Sequence, residues 1–265
     1  MGDAKTAAGL SLEQRGGILC ITIANPAEKN RLLPEALAKL EEVSLALLSH
    51  SEINAVIVRG DGQADFSCGL LNPVVRAGMS KDEVVALVRL ANRAFNALEA
   101  APQVIIASLN GEVRAGGAEL ALACDIRIAG SHATMQFPEA AWGGFPGAGG
   151  PARLASIVGR GRALELICTG RTIDAAEMDK VGLVQSVVEP GALADASEML
   201  AARIAAAGPL ATRGAKRIIR ARSEPGVAHA QDVSDALRHE LEWSDDVDEA
   251  IAAHREKRAP VFKGE

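Results

Sequence analysis

The sequence predicts an α/β protein, on three observations. Apolar runs of strand length occur at 17–24, 53–59 and 104–109. Segments whose apolar residues recur at helical spacing, one from Pro34 and one over 81–100, alternate with those runs. After Pro151 the chain is mostly helical in pattern.

Taken in order, GILCITIA at 17–24 reads as a strand that Asn25-Pro26 breaks. From Pro34, the residues Leu37, Leu40, Val43, Leu47 and Leu48 mark a helix, with the proline early, where its missing N–H does no harm. The strand at 53–59 puts Ile53, Ala55 and Ile57 on one face and Val56 and Val58 on the other, so both faces read as buried. Gly60-Asp61-Gly62 turns the chain into Phe66-Ser67-Cys68-Gly69-Leu70-Leu71-Asn72. A helix over 81–100 leads through Pro102 to the strand at 104–109, which ends at the turn Asn110-Gly111.

Ala115-Gly116-Gly117-Ala118 then feeds a helical segment, 119–124, made of Ala and Leu around one ionisable side chain, Glu119. Either this glutamate looks outward, or a carboxyl enters an apolar site, where burial raises its pKa towards values useful for proton transfer. Glu139 follows Pro138 at the exit of a short extended run, 134–137, just before WGGFPGAGG. Two carboxyls flanking glycine-rich backbone can supply an acid, a base and bare amide donors for a developing oxyanion. Two exposed glutamates beside a flexible loop are the other reading. Further on, helices are expected over 152–158, 161–168, 174–181, 193–207, 209–222, 233–243 and 247–257, with 182–188 as one last strand. Asp174 stands where an N-cap is wanted, with Glu177 three residues on.

At 265 residues the chain suits one domain with an appended subdomain. A net charge of −6 argues against broad attraction to nucleic acid or anionic membrane, and the absence of Tyr, with two Trp and five Phe, leaves few stacking platforms for single strands. The cysteines at 20, 68, 124 and 168 lie far apart in apolar or small-residue surroundings, the pattern of buried free thiols in a reducing compartment. No CxxC, HExxH or Cys/His cluster points to a metal, and the histidines at 50, 132, 229, 239 and 254 read as surface or structural. WGGFPGAGG lacks GK[ST] and a dinucleotide-fold context, which argues against ATP or NAD. Gly2 to Thr6 fit a loose myristoylation consensus, but nothing basic follows to supply a second anchor, and no stretch has the ~18 apolar residues of a membrane helix. A cytoplasmic protein is expected.

Several residues fall into longer ordered patterns. Asn110-Gly111, Gly116-Gly117, Glu119-Leu120-Ala121-Leu122, Cys124-Asp125-Ile126, Phe137-Pro138-Glu139, Gly143, Pro146-Gly147 and Gly149-Gly150 form one. Cys168-Thr169-Gly170, Ala176-Glu177 and Gly182-Leu183-Val184 form a second. In these the chain resembles the enoyl-CoA hydratase/isomerase, or crotonase, family, from about residue 17 to the C-terminus. The resemblance implies a crotonase-type spiral of ββα repeats over 1–200 that holds an acyl-CoA site, a C-terminal helical subdomain over 201–265 that serves oligomerisation, and a homotrimer or dimer of trimers. Coenzyme A would arrive as part of the substrate, with no other cofactor.

The resemblance also assigns roles. The backbone N–H groups of Cys68 and Gly116 would polarise the thioester carbonyl, Gly116 being at the start of the helix that carries Glu119. Glu119 would activate a water for attack at C3, and Glu139 would protonate C2. Family isomerases typically use one carboxylate, so two favour an enoyl-CoA hydratase over an isomerase, another acyl-CoA lyase or an idle CoA-binding member. Lys29 and Arg31, in KNRL, and Lys257, in EKRAPVF, match positions near the CoA phosphates, with solvated helix ends as the alternative. Departures include Cys68 for the usual Ala, Arg31 for Ala, Arg114 for an apolar residue, Ala115 for the first Gly of GGG and His254 for Phe. Leu71 replaces an Asp, which suggests an apolar wall suited to uncharged acyl groups, and Asn72-Pro73 then breaks the expected helix start.

Overall fold

The structure, a computed structural model, describes residues 5–7, 9–142, 144–223, 245–258 and 261–265. The chain opens with β1 (Lys5–Ala7), β2 (Leu10–Arg15) and β3 (Ile18–Ile23), an antiparallel meander of which only the last strand is evident in the sequence. Helix α1 (Pro34–Ala46) follows, then β4 (Ala55–Gly60) and β5 (Asp65–Ser67). Next come α2 (Pro73–Ala77) and α3 (Lys81–Ala100). The pattern repeats as β6 (Val104–Leu109), β7 (Glu112–Arg114) and α4 (Gly116–Ala123), and again as β8 (Ile126–Gly130), β9 (Thr134–Gln136) and α5 (Gly150–Val158). The remainder is α6 (Arg160–Thr169), β10 (Thr172–Asp174), α7 (Ala175–Lys180), β11 (Ser186–Val188), α8 (Leu193–Ala205), α9 (Pro209–Ser223) and α10 (Asp245–Glu256).

Three successive ββα units thus lay one strand each in two sheets. The large sheet runs β1-β2-β3-β4-β6-β8-β11, parallel from β3 onward, and the small one runs β10-β9-β7-β5. This is the spiral expected from the resemblance. Both faces of β4 are buried, as its unbroken apolar run requires: Val56 and Val58 join the main core, while Ala55 and Ile57 pack with Leu193 and Ala201 of α8 behind the sheet.

Local chemistry explains most boundaries. Ser80 and Glu83 form a reciprocal capping box that starts α3 where the apolar spacing begins. Asp174 caps α7 by accepting from Glu177 N at 2.8 Å, while the Glu177 carboxylate turns to Arg171 instead of completing a box. Asn72-Pro73 does not break a helix as expected; Asn72 Oδ1 accepts from Val75 N at 2.9 Å and nucleates α2, with Pro73 at its first position. Helix α1 stops at Ala46, leaving Leu48 63% exposed. Of the cysteines only Cys124 is fully buried, and Cys168, expected inside, is exposed on α6.

The expected boundary after residue 200 falls inside α8, and α9 is fastened to the spiral: Lys216 Nζ pairs with Asp125 Oδ2 at 2.7 Å and donates to Gln103 O at 2.8 Å. The helix expected over 233–243, His229 and the motif residue Gly143 lie outside the described residues, as does most of the Gly2–Thr6 segment. Among the described residues no helix is long and apolar enough to cross a membrane.

Candidate active site

The short path from β7 into α4 sets the centre of the site. Ala115 adopts φ 51°, ψ −126°, a conformation that a side chain strains, and its carbonyl accepts from Ala118 N at 2.9 Å and Glu119 N at 3.1 Å. A Cβ added to Gly117 would lie 2.3 Å from Ser67 O, and one on Gly116 would lie 2.6 Å from Leu70 Cγ. Small residues are therefore needed for α4 to start against the 67–70 segment. Arg127, buried, closes the other end of α4 by donating to Cys124 O at 2.7 Å and Leu183 O at 2.6 Å.

One helical turn in, Glu119 is 2% exposed and borders a cavity of about 830 Å³. Its Oε1 accepts from Ala148 N at 2.7 Å and Gly150 N at 2.9 Å. A Cβ on Gly150 would sit 2.9 Å from that oxygen, so this amide can approach only from a glycine. The loop that supplies both donors is tied to α3. Asn92 Nδ2 donates to Gly147 O at 2.6 Å; Arg153 donates to Ala148 O at 2.9 Å, Asn96 Oδ1 at 2.6 Å and Glu99 Oε2 at 2.8 Å.

Glu139 borders the same cavity from the 3-10 turn Pro138–Trp142 that follows β9. Its Oε2 is buried and has no hydrogen-bond partner among the described residues. The Arg114 guanidinium lies 5.4 Å from the Trp142 ring centre and favours the Glu139 carboxylate. Burial pushes both carboxyls up to about 7. Glu119 is the more deeply buried and has Glu139 as a like-charged neighbour, but its two backbone donors and Arg153 offset part of that. The sequence reading that put both carboxyls in one partly apolar site is met by this geometry, and neither is an outward-facing surface residue.

The expected pair of amide donors needs a correction. Cys68 N–H donates to Lys29 O at 3.0 Å, and Cys68 does not border the cavity, so its amide is not free to bind a carbonyl. Its Sγ donates to Glu28 O at 3.4 Å and burial pushes the thiol pKa up, which keeps it protonated and unreactive. Gly69, at φ 89°, turns the chain, and Leu70 then borders the cavity beside Gly116. Among the described residues the Leu70 and Gly116 amides have no partner. The Gly116 amide is open at the cavity, and the second open amide there belongs to Leu70 and not to Cys68.

Lys29, Arg31 and Lys257 do not border the cavity. Lys29 Nζ lies 3.4 Å from Glu112 Oε2, Arg31 pairs with Glu28, and Lys257 is exposed in a left-handed turn after α10. In KNRL the structurally decisive residue is Asn30, buried at positive φ, whose Nδ2 donates to Asp61 O and Asp65 O and whose carbonyl accepts from Ser67 Oγ at 2.7 Å. It holds the 65–70 segment in place. Sequence reading also missed Arg153, Asn92 and the amides of Ala148 and Gly150. The glycines of GAGG were a signal for the last of these. Among the described residues no group of three or more His, Cys, Asp or Glu side chains is placed to hold a metal.

Burial of these carboxyls has a stability signature. A group with a pKa of about 7 in the folded chain and an ordinary value of 4.5 holds more protons when folded, so its contribution to stability falls as pH rises from about 4.5 to about 7. Glu119→Gln removes that penalty and keeps an oxygen for both backbone donors. The variant should exceed the wild type in stability at pH 8, by up to about 3 kcal/mol, and show no gain at pH 4. Urea midpoints at the two pH values check this, and the same difference at both would mean that the carboxyl is not held protonated by burial.

Comparison with known proteins bears on the family and the fold. The chain matches the enoyl-CoA hydratase/isomerase family over residues 13–265. It is 38% identical, over 92% of its length and 94% of the relative's, to a Bacillus subtilis protein named for enoyl-CoA hydratase/isomerase. It is 34% identical to the short-chain-enoyl-CoA hydratase of Clostridium acetobutylicum, covering 93% of this chain and 94% of the relative. The crystal structure of an enoyl-CoA hydratase from Bacillus anthracis superposes with a TM-score of 0.94 at 32% identity, over 97% of this chain and 100% of that one. On the family match, these relatives and the shared ββα spiral, the chain belongs to the enoyl-CoA hydratase/isomerase family.

Proposed function

We propose that the protein is an enoyl-CoA hydratase, adding water reversibly across the C2=C3 bond of a trans-2-enoyl-CoA thioester. The observation that carries this is the pair of buried carboxyls, Glu119 and Glu139, both with pKa about 7, facing one cavity that two unpartnered amides also border. At neutral pH such a pair can hold one proton between them, the state in which one group is a base and the other an acid. Glu119, with two backbone donors to Oε1, is better suited to remain ionised and to take a proton from water as it attacks C3. Glu139, with an unpartnered oxygen, delivers a proton to C2. The thioester oxygen sits between Leu70 N and Gly116 N, where negative charge accumulates only because the double bond is conjugated to the carbonyl.

The substrate is an acyl-CoA, with coenzyme A as part of it and no separate cofactor, and the protein works in the cytoplasm. Incubating it with matched trans-2- and trans-3-enoyl-CoA thioesters tests the reading. Hydration of the trans-2 series is expected; conversion of trans-3 to trans-2 without hydration would move the protein to the isomerases, and inertness towards both would make it a binding member. We also place it in a homotrimer or a dimer of trimers, for which the exposed Met199 of α8 and Val261 beyond α10 supply apolar surface. Light scattering at micromolar concentration should give a multiple of three chains, and a stable monomer would count against it.

A further inference from the structure

The wall beyond the two carboxyls carries charge that the hydration step does not use. Arg76, near the end of α2, and Arg89, in the third turn of α3, border the cavity together with the apolar Leu71, Val84, Val88 and Phe145. Arg76 reaches across towards the loop after the 3-10 turn: a Cβ added to Gly144 would lie 3.9 Å from its Nη1. Among the described residues neither guanidinium has an ion-pair or hydrogen-bond partner. Arg93, one turn beyond Arg89 on the same helix, pairs with Glu41 at 3.0 Å, and the cations acting on Glu119 and Glu139 are Arg153 and Arg114. Two exposed cations therefore share a wall made otherwise of apolar side chains and Asn72, and among the described residues no anion pairs with either.

A ligand can supply it. Each guanidinium presents a planar fork of donors that matches a carboxylate, and the attraction strengthens once a bound acyl chain displaces water from the wall. With the thioester oxygen at Leu70 and Gly116 and with C2 and C3 against Glu119 and Glu139, the rest of the acyl chain has the α2–α3 wall to run along. We infer that Arg76 and Arg89 form a carboxylate subsite, and that the preferred acyl group is that of a dicarboxylic acid held as its monothioester. The placement of the thioester rests on the hydratase reading. This inference runs against the expectation drawn from Leu71, of a wall suited to uncharged acyl groups: Leu71 does border the cavity, but two cations border it too.

Binding tests this without turnover. Saturated thioesters of equal chain length, glutaryl-CoA and pentanoyl-CoA, are titrated calorimetrically into the wild type and into Arg76→Gln and Arg89→Gln variants whose melting curves confirm folding. The wild type should bind glutaryl-CoA about tenfold or more tightly over pentanoyl-CoA, the usual worth of a charged pair that ligand binding desolvates. Each variant should lose most of that preference and hold pentanoyl-CoA within about twofold of wild type. Equal weakening of both thioesters and of free coenzyme A would assign the arginines to the phosphates and overturn the inference, as would variants that weaken nothing. Neither thioester has a double bond, so the result does not depend on hydration. A wild type that prefers glutaryl-CoA yet leaves every trans-2-enoyl-CoA unchanged would keep the subsite and sink the hydratase.

Discussion

Glu119→Gln and Glu139→Gln should each lower the hydration rate by roughly 10²–10⁴-fold, the usual contribution of one positioned acid or base, while thioester binding and fold persist. Glutamine keeps the shape of the side chain, and at position 119 it keeps an acceptor for Ala148 N and Gly150 N. On the proposed mechanism the two carboxyls serve one transition state, so the double variant should lose much less than the product of the single losses. On that mechanism the wild-type rate should trace a bell centred near pH 7, because burial pushes both groups up to about 7 and the mechanism requires opposite protonation states of them. An unchanged rate in Glu119→Gln would end the hydratase mechanism. Loss in Glu139→Gln alone would point to a single carboxyl that moves a proton between C2 and C4.

A single methyl group at residue 117 should do comparable damage without touching any ionisable group. The Cβ of Gly117→Ala falls 2.3 Å from Ser67 O and 2.8 Å from Ser67 Cβ, and neither can swing away on a flexible side chain. The 67–70 segment must separate from α4, which displaces the Leu70 amide from that of Gly116. We expect a loss of about 3 kcal/mol in stability, as for other overpacked interiors, and a fall in kcat/KM of roughly 10²-fold or more from the misplaced donor. Gly161→Ala is the matching control: it also lies in the first turn of a helix, α6, and nothing lies within 4 Å of its added Cβ. That variant should be neutral or slightly more stable, by up to about 1 kcal/mol. Urea unfolding of both proteins, with steady-state rates, decides the matter, and two similar variants would mean that the contact yields easily.

What the sequence disclosed and what it hid divide along the distance over which each feature is decided. Helix α3 is legible because its apolar spacing runs unbroken from Lys81 to Ala100 and a capping box opens it. Strand β6 is legible because an apolar run ends at Asn110-Gly111. The pairing of Glu119 with Glu139 was suggested by flanking glycines and fixed by the ordered motif. The identity of the second amide donor is different in kind. Whether Cys68 or Leu70 has a free N–H depends on the Lys29 carbonyl, 39 residues upstream, and on the left-handed turn at Gly69. Arg153 and its partners on α3 are 54 to 57 positions apart, and Lys216 reaches Asp125 from a helix that no local pattern connects with it. The β1–β2 strands escaped notice because they are short and carry few apolar residues.

Helix α3 does two jobs at once. Its early turns give Val84, Val88 and Arg89 to the cavity wall, and its later turns hold Gly147 through Asn92 and Arg153 through Asn96 and Glu99. On the proposed function the same rod would be both the gauge that measures the acyl chain and the bracket that aims the base. An ill-fitting chain that shoved the early turns outward would also tug the loop whose amides grip Glu119. On the proposed function such a substrate would be penalised in turnover as well as in affinity, its chemistry mistimed even after it had been let in.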